Sequence, residues 1–200
     1  MTATKGTRTR QRILDAVGPM FNERGYQATS LADVMAATGL EKGGIYNHFA
    51  SKDDLAVAAY ERNAGLLADA IGDHVRAARP HAVDRLVAVL AAFRSFAHEP
   101  PFPGGCPTLN TAVESAGLDP RLRDLSRQRL LDLRDGLVGR LLRRGVELGQ
   151  LRADLDVDEL ATTVAAGIEG ALLLAQALGD PTQVDRVADH LERTIREAAA

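Results

Sequence analysis

The sequence predicts an all-α chain, a three-helix N-terminal unit followed by a larger helical domain, with roughly nine helices altogether. Apolar residues recur at spacings of three and four almost throughout, and strand-favouring runs are few. Asp119-Pro120 and Asp180-Pro181 each precede a periodic apolar segment, as a cap followed by proline does at a helix start. Between Thr29 and Phe49, two short periodic segments flank Gly39, the residue type that best ends a helix in a left-handed conformation.

In chain order, residues 1–7 are polar, basic and expected to be disordered in isolation. A first helix follows from about Arg8 to Arg24, with Ile13, Leu14, Val17 and Phe21 inward and Gly25 as its stop. Gly18-Pro19 lies inside it. Proline removes a hydrogen bond to the carbonyl four residues back, so a kink near Asp15 or a broken helix is expected. Thr29 and Ser30 can cap a second helix with Leu31, Val34 and Met35 on its buried face. After Leu40 and Glu41 comes a helix of about two turns that carries Ile45 and Phe49 inward.

Ser51, with Asp54 three residues on, resembles a capping box and opens a long helix to about Ala78. Residues 82–97 form the next helix, with Leu86, Val89, Leu90, Phe93 and Phe96. The segment EPPFPGG, 99–105, cannot be regular helix. A short helix over 105–116 ends at Gly117, and a leucine-lined one runs from Pro120 to near Gly149. The last two helices are expected over 156–178 and 180–198. Two domains result, 1–52 and 53–200, joined inside the helix after Ser51 and not by a flexible linker.

Composition narrows the function. With 46% hydrophobic and 26% charged residues, the 200-residue chain has the make-up of a globular protein. A net charge of -3 argues against a protein that coats nucleic acid indiscriminately, so any such binding needs a local patch. Lys5, Arg8, Arg10 and Arg12 provide one before the first acid, Asp15, and the only lysines are Lys5, Lys42 and Lys52. A polar N-terminus gives no sign of a signal peptide. The longest apolar run, Val164 to Leu178, is interrupted by Glu169 and Gln176, which argues against a membrane span. One cysteine excludes an internal disulfide, and a cytoplasmic location is expected.

The 29–49 segment has the layout of a helix-turn-helix. Its second helix contains two adjacent glycines, each costing about 1 kcal/mol relative to alanine. Gly43 and Gly44 make sense if this end approaches another surface closely, such as a sugar–phosphate chain or a thymine methyl. Lys42, Tyr46, His48 and Lys52 suit phosphate oxygens, and Asn47 can pair with adenine. Thr29 and Ser30 complete the candidate DNA-binding set. The bland alternative is a small solvated helix anchored by Ile45 and Phe49.

The stretch GLEKGGIYNHFASKDDL resembles the recognition helix and following helix start of TetR-family transcriptional regulators. Thr29, Gly39, Lys42-Gly43, Tyr46, His48-Phe49, Lys52 and Leu55 stand at that family's spacing, and the resemblance covers the chain in length and helical layout. Glu41 departs from it, where the family usually has serine or threonine. The resemblance implies a homodimer formed through the last two helices. It further implies binding to an inverted-repeat operator in double-stranded DNA, and release when a small molecule enters the C-terminal domain. The small residues Ala161, Ala165, Ala166, Gly167, Gly170 and Ala171 fit close helix approach at such an interface, or within one chain.

Phe93, Phe96 and Phe102 cluster around the 99–105 loop, and with Leu109, Val113 and Leu172 they could line a cavity for a hydrophobic effector. Asn110, Glu114, Glu169 and Gln176 are its candidate polar contacts; an ordinary core is the alternative. Cys106 lies in GGCPTLN, a segment similar to one in part of the TetR family, some of whose members sense electrophiles or oxidants through a cysteine. A cysteine at a helix N-terminus has its thiolate stabilised, whereas most free cysteines are buried filler. No metal-ligand spacing, phosphate loop or catalytic constellation is present, so no cofactor, metal or enzymatic activity is expected. An all-α enzyme and a non-specific DNA-compacting protein remain the lesser alternatives, the latter disfavoured by the acidic C-terminal two-thirds.

Overall fold

The computed structural model describes residues 5–114 and 118–200. Nine helical rods follow one another among them, and no strand. They are α1 (Lys5–Arg24), α2 (Leu31–Thr38), α3 (Lys42–Tyr46), α4 (Lys52–Ala77), α5 (Ala82–His98) and α6 (Pro107–Val113). Next, α7 (Pro120–Leu131), a π-helical stretch (Asp132–Gly139) and α8 (Arg140–Glu147) form one rod, before α9 (Val157–Leu178) and α10 (Thr182–Glu197).

The chain divides into two compact units, one of residues 1–66 and 102–126, the other of 67–101 and 127–200. The division falls inside α4, and the first unit also holds α6 and the start of α7. In the first unit, Ile13, Leu14 and Val17 of α1 meet Val34 of α2, Ile45, Phe49, and Leu55 and Ala59 of α4. A second cluster joins Ala56, Tyr60 and Ala64 to Leu118 and Leu122. In the other unit, α9 packs on α10 and on the π-helical stretch, while α5 packs on α8 and α10. Leu86, Leu90, Phe93, Leu142, Ile168, Leu191 and Ile195 fill its core.

One expectation for α1 is corrected, and one of the two alternatives in a second is excluded. Residues 5–7 are helical, and the rest of the segment expected to be disordered, 1–4, lies outside the described residues. The helix also continues through Pro19 without a break. Neighbouring α4 supports the weakened turn: Asn63 Nδ2 donates to the Gly18 carbonyl at 2.8 Å, and Arg62 pairs with Asp15 at 2.7 Å. A Cβ at position 18 would lie 2.8 Å from Asn63 Oδ1, so the glycine makes room for that amide. The short helix expected over 105–116 spans Pro107–Val113, and its expected end at Ala116 and Gly117 lies outside the described residues.

Candidate DNA-binding site

Ser30 is the N-cap of α2, and its capping box is reciprocal. Asp33 N donates to Ser30 Oγ at 3.2 Å, and Ser30 N donates to Asp33 Oδ2 at 2.8 Å. The Ser30 hydroxyl, which also donates to Asp33 Oδ2 at 2.5 Å, and then the Ser30 N–H hold the Asp33 carboxyl below the usual carboxylate range. Gly39 closes α2 with φ +67°, a conformation L side chains resist, and its N–H donates to the Met35 carbonyl. Thr29 does not belong to the surface: it is fully buried, and its hydroxyl donates to the Gly25 carbonyl at 2.8 Å. Its place in the expected DNA-contacting set is therefore corrected to a tie that fixes the corner leading into α2.

The five-residue α3 is anchored by Ile45, with Phe49 just beyond its end. Lys42, Gly43 and Asn47 are exposed, while Gly44, Tyr46 and His48 are half-buried. Lys42 Nζ stands 5.7 Å from the centre of the Tyr46 ring. Glu41, at the N-cap, makes no side-chain capping bond. A Cβ on Gly43 would meet nothing within 4 Å, and one on Gly44 would make only ordinary contact with Leu40 at 3.6 Å. Nothing inside the protein requires glycine at either position.

Lys52, expected on a phosphate, is partly committed within the protein. Its Nζ donates to the Tyr26 carbonyl at 2.8 Å and lies 4.2 Å from the centre of the Tyr26 ring. The Tyr26 hydroxyl in turn bonds Asp53, and burial followed by that bond pushes the phenol pKa up to about 12. At the start of α4, Asp54 is held below the usual carboxylate range by Arg121, with Ser51 contributing. Arg10 from α1 stacks 5.0 Å from the Phe49 ring centre, which sets part of the N-terminal basic patch beside the end of α3. Tyr26 was not singled out from the sequence. A lone tyrosine in a loop carries no spacing signal, and its partners lie 26 and 27 residues away.

The residues expected to line an effector cavity divide between the two units. Phe93, Phe96, Glu169 and Leu172 are buried in one, where Gln176 is exposed; Phe102 and Cys106 are buried in the other, with Asn110 and Glu114 half-buried. Asn110 and Glu114 are engaged with backbone groups of their own unit. Cys106 is only 2% exposed. A cavity of about 40 Å³, lined in part by Tyr26, Tyr60, Asn63, Asn110 and Glu114, lies within the first unit. It has room for a water molecule or two, not for a drug-sized ligand. Among the described residues, no group of three or more His, Cys, Asp or Glu side chains is arranged to hold a metal ion.

An all-helical chain whose first unit carries a capped α2, a glycine turn and a short exposed α3 has the build of a helix-turn-helix DNA-binding regulator. The comparisons make that specific. Residues 13–59 match the family described as bacterial regulatory proteins, tetR family, and residues 82–191 match the tetracyclin repressor-like C-terminal domain. The chain belongs to the TetR family of transcriptional regulators. It is similar to the transcriptional repressor DhaR of Mycobacterium sp. strain GP1, 32% identical over 170 residues covering 84% of this chain and 82% of the relative. It is also similar to the repressor AcnR of Corynebacterium diphtheriae, 25% identical over 94% of this chain and 92% of the relative. The crystal structure of a TetR transcriptional regulator from Chloroflexus aurantiacus J-10-FL superposes with a TM-score of 0.90 at 40% identity, covering 98% of both chains.

Proposed function

We propose that the protein is a repressor that binds an inverted-repeat operator as a homodimer and leaves it when a small hydrophobic molecule occupies the C-terminal domain. The observation that carries DNA recognition is the open space at Gly43 and beside Gly44. Two helical glycines that the fold does not need point to a demand from outside the chain, and a closely approaching DNA backbone makes that demand. Lys42, Tyr46 and His48 are the phosphate contacts, joined by the N–H donors of Lys52 not spent on Tyr26. Asn47, exposed at the end of α3, is the residue for base edges. The repressor relatives support the direction of control.

The dimer rests on α9. Its face bearing Ala166, Gly170, Leu173, Leu174, Ala177 and Leu178 is exposed in the single chain, with Leu178 63% accessible. By length and composition this helix could cross a membrane. Its inner side packs on α10 and the π-helical stretch, and a second copy of the chain is the natural cover for the outer side. A cytoplasmic location follows from an operator partner.

Affinity for a duplex selected by the wild-type protein from a random library tests recognition. Lys42→Ala/Tyr46→Phe should bind every selected sequence more weakly and reduce the salt dependence. Gly43→Ala should stabilise the free protein by up to about 1 kcal/mol while weakening binding. Unchanged affinity in both variants would remove the DNA-contact assignment.

A further inference from the structure

The corner between α1 and α2 is held from two sides. Its carbonyl at Tyr26 is taken by Lys52 of α4, as described above. Two of its N–H groups are taken by one carboxylate from far along the chain. Tyr26 N donates to Glu114 Oε2 and Gln27 N to Glu114 Oε1, each at 3.0 Å. One turn earlier on α6, Asn110 Nδ2 donates to the Asn22 carbonyl at 3.1 Å. Asn22 returns the contact, its Nδ2 donating to the carbonyls of Pro103 at 2.8 Å and Gly105 at 3.0 Å. Gly104, at φ +94°, lets the two backbones touch, because a Cβ there would lie 2.8 Å from the backbone of Asn22 and Glu23.

The helix dipole alone would not select this arrangement. Glu114 brings a negative charge to the C-terminal end of α1, the end whose unpaired carbonyls favour a cation. What the carboxylate supplies is bidentate geometry, fixing two consecutive N–H groups of the turn that delivers Ser30 to the start of α2. We infer that Glu114 and Asn110 are positioning residues for operator binding, α6 acting as a fourth member of the DNA-binding unit that sets the α1–α2 corner and through it α2 and α3. This rests on the operator-binding reading above. It assigns these two side chains to the DNA-binding unit, where the sequence pattern pointed to effector contacts.

The test pairs amide hydrogen exchange in the free full-length protein with affinity for the library-selected duplex. Glu114→Gln preserves size but leaves one acceptor where two are needed; Asn110→Ser removes the other arm and is an independent second variant. Each should speed exchange selectively, Glu114→Gln at Tyr26 and Gln27 and Asn110→Ser around Asn22. Glu114→Gln should also weaken duplex binding about tenfold, the usual scale for losing a charge-assisted bond, and Asn110→Ser by about fivefold, the scale of a neutral one. Exchange unchanged at these amides overturns the inference, as does wild-type affinity despite faster local exchange, or an affinity loss with uniformly faster exchange across α1 to α4. The Lys42→Ala/Tyr46→Phe protein separates the two readings. It should lose affinity with Tyr26 and Gln27 exchange unchanged, and if it keeps affinity the operator reading fails, whatever the exchange data show.

Discussion

Ser30 shows how much one side chain near the recognition element decides. It accepts from the Asp33 N–H while Asp33 accepts from the Ser30 N–H, so one short contact satisfies two donors that helix starts leave orphaned. Ser30→Ala should cost roughly 0.5–2 kcal/mol at neutral pH, the usual range for a lost cap. The pH dependence has a definite sign. Asp33 titrates lower in the folded protein than in the unfolded chain, so its contribution is present above the unfolded value, about 3.9, and lost as pH falls through the folded one. Urea denaturation at pH 7 and pH 3 should show the wild-type advantage narrowing in acid; an advantage that widens would contradict the box. Ser30 was legible as a cap from its residue type, though its reciprocal partner Asp33 was not singled out. The burial of Thr29, one position earlier, was not legible, because its hydroxyl bonds Gly25 around a corner that sequence periodicity does not describe.

At the scale of elements, helix identity was readable wherever apolar spacing and caps agreed, as in α9, opened by Asp156 and closed by Gly179. The π-helical stretch at Asp132–Gly139 was not readable, because the leucine pattern from Leu122 to Leu141 suits a single α-helix. The stretch packs against α9, a contact that local pattern does not encode. Glycines carry the opposite lesson. Gly145 of α8 looks incidental in sequence, yet a Cβ there would lie 2.6 Å from Leu151 Cδ1 and 2.7 Å from Ala82 Cβ. Gly145→Ala should therefore destabilise the unit by about 1–3 kcal/mol through overpacking, despite alanine's better helix propensity. Thermal unfolding checks it, and a variant more stable than wild type would show that α5 and α8 separate easily.

For the whole molecule, the sequence revealed the helical layout and the family but not which pieces fold together. Glu114 and Asn110 lie 88 residues from Tyr26 and Asn22, whose backbone groups they grip, and no spacing rule reaches that far. The outward face of α9 makes assembly testable. Leu174→Glu/Leu178→Glu places two charges on the exposed apolar stripe and should halve the sedimenting mass at micromolar concentration, with helicity retained. A variant that still sediments as a dimer would move the interface elsewhere. The open glycines of α3 also bear on how such a chain changes over generations. In the absence of a ligand that needs them, Gly43 and Gly44 are sites where a single replacement improves the folded state at no cost. A descendant copy freed from its target would be expected to fill them with alanine early, so the glycine pair serves as a marker in duplicated genes of which copies still read DNA.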